Sequence, residues 1–236
     1  MNSILDPPVR SDRDSDKEKA AGNCCSCCAV LLRGGRSRRM GRDKALLPWK
    51  ESTFLETIAS QLEFLDEKYL SVAGLGIDSD AESLSAEETG DRKANDSDQN
   101  LLPDDWVRLP DLIPDCGPLG GIYTALQTCR AEWALAVSCD VPAVEQRFFK
   151  ILLKECSDDL DIIYPITPDG RKHMTCAVYR KEIAPILLRQ IEKGDNRLRV
   201  LPGLCRAKGL RIEQPDLIRM VSNINTGEEF DRILYN

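Results

Sequence analysis

The run Ala29-Val-Leu-Leu32 passes without a linker into Arg33-Gly-Gly-Arg-Ser-Arg-Arg-Met-Gly-Arg-Asp-Lys44, and that junction narrows the folds open to this chain. Four apolar residues stopped by glycine read as a strand covered on both faces, the habit of a parallel sheet. Gly34, Gly35 and Gly41 permit backbone angles and close approaches that a side chain would block, so the amides between them can converge on an anion. Six basic residues against Asp43 give residues 33–44 a charge of +5. A solvated basic turn is one reading of that charge. Strand, glycines and charge taken together point instead to a loop that cradles phosphate.

The remainder alternates short apolar runs with amphipathic stretches. Residues 69–73, 107–109, Trp133–Ser138 and 161–165 read as strands, and 170–179 as a turn into another. Thr53-x-x-Glu56 has the form of a capping box, opening a helix whose Phe54, Ile58, Leu62 and Leu65 share one face. Further helices are expected over 120–129 and 144–155, and on the face formed by Ile183, Leu187 and Ile191, closed by Gly194. Asn223 and Asn225 are expected to alternate across a last strand running from residue 220 to 224. Such alternation predicts an α/β fold, a mostly parallel sheet with helices on both faces. At 236 residues and 42% hydrophobic content, the chain suffices for one such core and is short for two.

The net charge of −7 is unevenly placed. Residues 76–105 hold ten acids and two bases, −8, so the rest of the chain sums to +1. The reading is a disordered tail over 1–23 and one domain over 24–236, carrying an acidic mobile insertion at about 76–105 whose composition cannot offset its ordering entropy. No run of eighteen apolar residues exists and the charged N-terminus lacks a signal-peptide core, so the protein is expected to be cytoplasmic with no membrane association. No basic, aromatic-interleaved patch calls for nucleic acid. Of the ten cysteines, Cys24, Cys25, Cys27 and Cys28 form a C-C-x-C-C cluster; a soft metal is one reading, but no matching Cys/His pair follows at finger spacing, and buried small hydrophobes with an exposed pair is the favoured one.

Read as a pattern, L-x-G-G-x-S-x-R-M-G-x-D-K at 32–44 fixes nine positions in thirteen and resembles the signature of the molybdenum cofactor guanylyltransferases, MobA-like nucleotidyltransferases with a Rossmann-like core. Arg33 stands where that family usually has alanine. Further on, Gly117-Pro-Leu-Gly-Gly121 is similar to the family's G-P-L-A-G, and Cys139-Asp140-Val141-Pro142 to its C-D-x-P. His173-Met-Thr resembles H-P-T, with Met174 in place of proline, and Asn223-Ile-Asn225-Thr226 resembles N-x-N-T-P-E, with Gly227 in place of proline.

The resemblance implies an enzyme that transfers GMP from GTP to molybdopterin or its molybdenum form, using Mg²⁺. Molybdoenzymes or their chaperones are the further partners it implies. By it Leu32, Gly34, Gly35, Lys44, Asp111, Gly117, Gly120 and Asp140 are candidate nucleotide contacts, with Arg39 and Lys44 supplying catalytic charge. Asp111 is the candidate to hold guanine, since a carboxylate can accept from both the ring N–H and the exocyclic amine; a turn-forming aspartate at a helix entrance is the plainer alternative. Asp140, at the carboxyl end of the most clearly buried strand, is the candidate Mg²⁺ ligand, a helix cap being its plainer role. His173, Arg197, Asn223 and Asn225 are expected near the second substrate or its phosphates, together with Arg199. Three rival readings stay open: a cytidylyltransferase on the same pterin, a sugar-phosphate nucleotidyltransferase, and a non-catalytic module that delivers the cofactor.

Overall fold

The computed structural model describes residues 25–33, 44–72 and 102–224. Residues 34–43, 73–101 and both chain ends, including Gly34, Gly35, Arg39 and Asn225, lie outside the described residues, as do the expected tail and most of the expected insertion. Strand β1 (Cys27–Leu32) leads, after the loop, to a hairpin of β2 (Pro48–Trp49) and β3 (Ser52–Thr53), then to α1 (Phe54–Ser60), β4 (Lys68–Val72) and β5 (Trp106–Pro110). Next come α2 (Pro118–Thr128), β6 (Trp133–Ser138), α3 (Gln146–Leu153), β7 (Ile162–Ile166), β8 (Cys176–Arg180) and α4 (Ala184–Glu192). A 3₁₀ segment at Leu198–Gly203, β9 (Ala207–Arg211) and α5 (Pro215–Met220) complete the described chain.

Seven of these strands form one sheet in the order β5-β4-β1-β6-β8-β7-β9. All pairings are parallel except those of β8, which runs antiparallel to both β6 and β7. From β1 the chain moves to β4 and β5 on one side, and β6 then pairs with β1 on the other. The strand order therefore reverses between β1 and β6, the point at which open α/β sheets leave a crevice beyond their carboxyl ends.

Period-two alternation assigns each strand residue to one of two cores. Ala29 and Leu31 of β1, with Trp133, Leu135 and Val137 of β6, face α1, α3 and α5 through Leu55, Ile58, Phe148, Phe149 and Leu217. Cys28, Val30 and Leu32, with Ala134 and Ala136, face α2 and α4 through Leu119, Ile122, Leu126 and Leu187. Both faces of the central strands are dry, which is why they read as continuous apolar runs. The capping box forms as expected: Glu56 N donates to Thr53 Oγ1 at 3.2 Å, and Thr53 N donates to Glu56 Oε2 at 2.9 Å. Gly194 ends α4 at φ +71°, a left-handed angle that glycine adopts without steric cost.

One expected element is replaced. Residues 220–224 form no strand: Met220 is the last residue of α5, and 222–224 are irregular. Pro215 in the first turn presets the helical φ, and Leu217 and Met220 turn into the core, so burial here follows a helical period. Neither β9 nor the hairpin was expected, because Ala-Lys-Gly-Leu-Arg carries no apolar alternation and the hairpin strands are two residues each.

Candidate functional site

Because β5, β4, β1 and β6 are parallel, the residues that follow each of them emerge along one edge. Asp140 lies just beyond β6, and Cys139 N donates to Leu32 O at 3.2 Å, so it sits beside the exit of β1. Its Oδ2 accepts from Asn223 Nδ2 at 2.7 Å, and its carbonyl accepts from Ile224 N at 2.8 Å. Ile224 in turn packs with Trp49 and Phe54, whose rings meet edge to face at 5.7 Å. This small cluster fastens the C-terminal segment to the hairpin that follows Lys44. Asn223, Asp140 and the Lys44 end of the loop are thereby gathered at one place.

The second oxygen of Asp140, Oδ1, is buried without a hydrogen-bond partner among the described residues. An uncompensated carboxylate oxygen is costly, whereas a hard divalent cation seeks carboxylate oxygen and takes the rest of its shell from water and phosphate. The donor set at Asp140 fits Mg²⁺ on those grounds.

Asp111 follows β5 directly, with its amide donating to Val72 O at 3.0 Å. Ser71 Oγ, near the end of β4, donates to Asp111 Oδ1 at 2.9 Å. Burial pushes the Asp111 carboxyl above its usual range, and the Ser71 hydrogen bond works the other way. Three strand spacings, roughly 14 Å, separate the exits of β5 and β6. That matches the reach of an extended nucleotide from base edge to phosphates. Gly117 opens α2 at φ +58°, and a Cβ on Gly120 would stand 2.9 Å from Cys116 Cβ and 3.1 Å from Ile113 O, so each glycine serves the tight turn from Asp111 into α2.

The turn before β8 reaches the same edge, since Ser138 N donates to Thr175 O at 2.8 Å. It lines a pocket of about 440 Å³ with Asn196 to Arg199, Pro118 and Asn223. Arg171, Lys172, Arg197 and Arg199 line it, and among the described residues no carboxylate does. The expected second-substrate residues His173, Arg197 and Asn223 are thus brought together. All three are already engaged, Asn223 by Asp140 as described. Arg197 pairs with both oxygens of Asp195, at 2.6 and 2.7 Å, which holds that carboxyl down at about 2. His173 is 6% exposed, its Nε2 is 3.2 Å from Thr167 Oγ1, and burial followed by the Arg171 charge pushes its pKa down to about 4. The imidazole is a neutral wall of the pocket at physiological pH.

Three residues passed unnoticed in the sequence. Ser71 sits as a lone hydroxyl near the end of an otherwise apolar strand, a visible but weak signal. Thr124, fully buried, accepts from Leu112 N at 2.9 Å and donates to Gly120 O at 2.8 Å; a threonine within a helix gives no hint of this. Asn196 lines the pocket with its Oδ1 buried and unpaired among the described residues.

A mostly parallel sheet with its charged and carboxylate groups gathered at the switch-point edge defines an α/β enzyme of the nucleotidyltransferase class, with a Rossmann-like core. The model of the MobA-like NTP transferase domain matches residues 29–203, and the chain belongs to that family. A relative from Methanothermobacter thermautotrophicus, named a probable molybdenum cofactor guanylyltransferase, is 32% identical over 212 residues, covering 85% of this chain and 95% of its own. A Bacillus mycoides protein of the same name is 27% identical over 211 residues, covering 86% and 94%. Among solved structures, molybdopterin-guanine dinucleotide biosynthesis protein A from Archaeoglobus fulgidus superposes with a TM-score of 0.64 at 17% identity, over 88% of this chain and 96% of that one.

Proposed function

We propose that this nucleotidyltransferase moves GMP from GTP onto the terminal phosphate of molybdopterin or its molybdenum form, releasing pyrophosphate. The observation that carries the reading is the arrangement along one sheet edge: a carboxylate at Asp111 oriented by Ser71, a half-satisfied carboxylate at Asp140, and a cation-lined pocket bordered by Asn223. The names of the relatives support GTP and the pterin as the two substrates.

In this reading an oxygen of the pterin phosphate attacks the α-phosphorus of GTP in line. The bond from that phosphorus to the bridging oxygen breaks, and pyrophosphate departs with the electron pair. The attacking phosphate is already an anion, so no strong base is needed, in keeping with a neutral His173. Arg39 and Lys44 neutralise charge on the nucleotide phosphates. Asp140, aligned by Asn223, would hold Mg²⁺, which would draw charge from the phosphate oxygens when bound. Asp111 accepts from guanine N1–H and the N2 amine, while Arg171, Lys172 and Arg199 receive the anionic pterin.

The test is pyrophosphate release by the purified protein with Mg²⁺, molybdopterin and each of GTP, CTP, ATP and UTP. A site built on hydrogen bonds to the base rejects a wrong one by about 10⁴-fold, so GTP is expected to dominate. Equal release with CTP would replace the reading by a cytidylyltransferase. Pterin binding without any turnover would point to a delivery module, and turnover only when a sugar phosphate replaces the pterin would move the enzyme to that substrate class.

A further inference from the structure

We infer that Ser71 is a positioning residue for base recognition: its hydroxyl occupies one lone pair of Asp111 Oδ1 and fixes the carboxylate plane, leaving the remaining lone pairs of the two oxygens to the nucleotide, and Gly121 exists to make room for it. The inference rests on the proposed pairing of Asp111 with guanine and deepens it. Ser71 is 5% exposed at the end of β4, and its Oγ lies 2.9 Å from Asp111 Oδ1. A carboxylate offers two oxygens, and a base with two adjacent donors needs them in one plane at a fixed tilt. A side-chain torsion left to itself would sample several tilts; a buried hydroxyl donated to Oδ1 selects one.

Space on the helix side is reserved for this contact. A Cβ placed on Gly121 would stand 2.3 Å from Ser71 Oγ, 3.1 Å from Ser71 Cβ and 2.9 Å from Leu32 Cδ2. Any larger residue at 121 would therefore drive the serine off its acceptor. The backbone of the aspartate is fixed independently, through Val72 O on one side and the Thr124 hydroxyl under Leu112 N on the other. Ser71 alone among these partners touches the carboxylate, so it governs aim and charge while the others govern place.

Charge is the second consequence. Burial works against the ionised form of Asp111, the form that accepts two hydrogen bonds, and the Ser71 donor opposes that effect. Its titratable neighbours in the loop are Asp115 and the Cys116 thiol; the thiol is held above its ordinary value by burial and by both aspartates and so stays neutral. Neither neighbour favours the charged carboxylate, which leaves the hydroxyl as the stabilising contact.

Ser71→Ala removes one oxygen without adding bulk, and Gly121→Ala breaks the same contact from the opposite side. Each is expected to lower the GTP-over-CTP ratio of kcat/KM by about tenfold, the worth of one hydrogen bond to a charged group. Each should also move the acid limb of GTP binding to higher pH, because Asp111 loses the donor that held its pKa down. Direct GTP binding as a function of pH, read by calorimetry, follows the second effect without the pterin. Ser71→Ala protein with lowered thermal stability but unchanged discrimination and an unshifted acid limb overturns the inference. Asp111→Asn separates the levels: if it too leaves discrimination intact, the guanine reading itself fails; if it abolishes discrimination and Ser71→Ala does not, only the role of Ser71 falls.

Discussion

At the scale of single residues, the site is distinguished by polar groups whose surroundings decide their protonation. His173 is the sole histidine of the chain, and its pKa of about 4 comes first from burial and then from Arg171. The sign of the linkage follows. Between 6.5 and about 4 the unfolded chain binds a proton that the folded ring refuses, so stability is complete above the unfolded pKa and is lost as pH falls through this window. The loss is on the order of 3 kcal/mol. Thermal unfolding followed from pH 7.5 to 4.5 should fall more steeply for the wild type than for His173→Gln; parallel curves would show that the ring is not desolvated as described. The sequence could place this histidine in a basic turn, beside Arg171 and Lys172. It could not show that the ring faces inward onto Thr167, because a one-residue change of direction in an irregular turn leaves no periodic trace.

At the scale of elements, local rules account for the helix starts better than for the strands. The Thr53 and Glu56 side chains each satisfy the other residue's backbone amide, and Ser52 Oγ adds a third contact to Glu56 Oε2 at 2.8 Å. That reciprocity is written in four residues and needs no tertiary context. Thr53→Ala should therefore cost about 1 kcal/mol, seen as a lower urea midpoint at unchanged m-value. Turnover per folded molecule should be unaffected; a larger drop in turnover than in stability would tie the cap to the loop that precedes it. The strand β9 and the helix α5 escaped notice for the opposite reason. Ala207–Arg211 becomes a strand by pairing along β7, and Pro215–Met220 becomes a helix by burying Leu217 and Met220. Both owe their state to partners distant in sequence.

At the scale of the whole molecule, parallel pairing of β4 and β5 constrains the acidic segment between them. Lys68 pairs with Trp106 and Val72 with Pro110, so the connection must return the length of a strand, roughly 17 Å. A Gly/Ser linker of about ten residues in place of 79–98 spans that distance with the flanking residues, and closure entropy depends only weakly on loop length. The shortened protein is expected to fold and to bind GTP within about threefold of the full chain by calorimetry; soluble protein without GTP binding would assign the segment to the site. The sequence alone determined the α/β class, the order of its central elements and the loop signature, because strands buried on both faces, glycine turns and capping boxes are encoded in neighbouring residues. Only the tertiary structure decided that β8 runs against its neighbours, that Asn223 aligns Asp140, that Arg197 and Arg199 share a cationic pocket with Arg171 and Lys172, and that Ser71 holds Asp111. Each of those depends on through-space contact between segments up to 83 positions apart, where burial and hydrogen-bond satisfaction act and sequence periodicity carries no information.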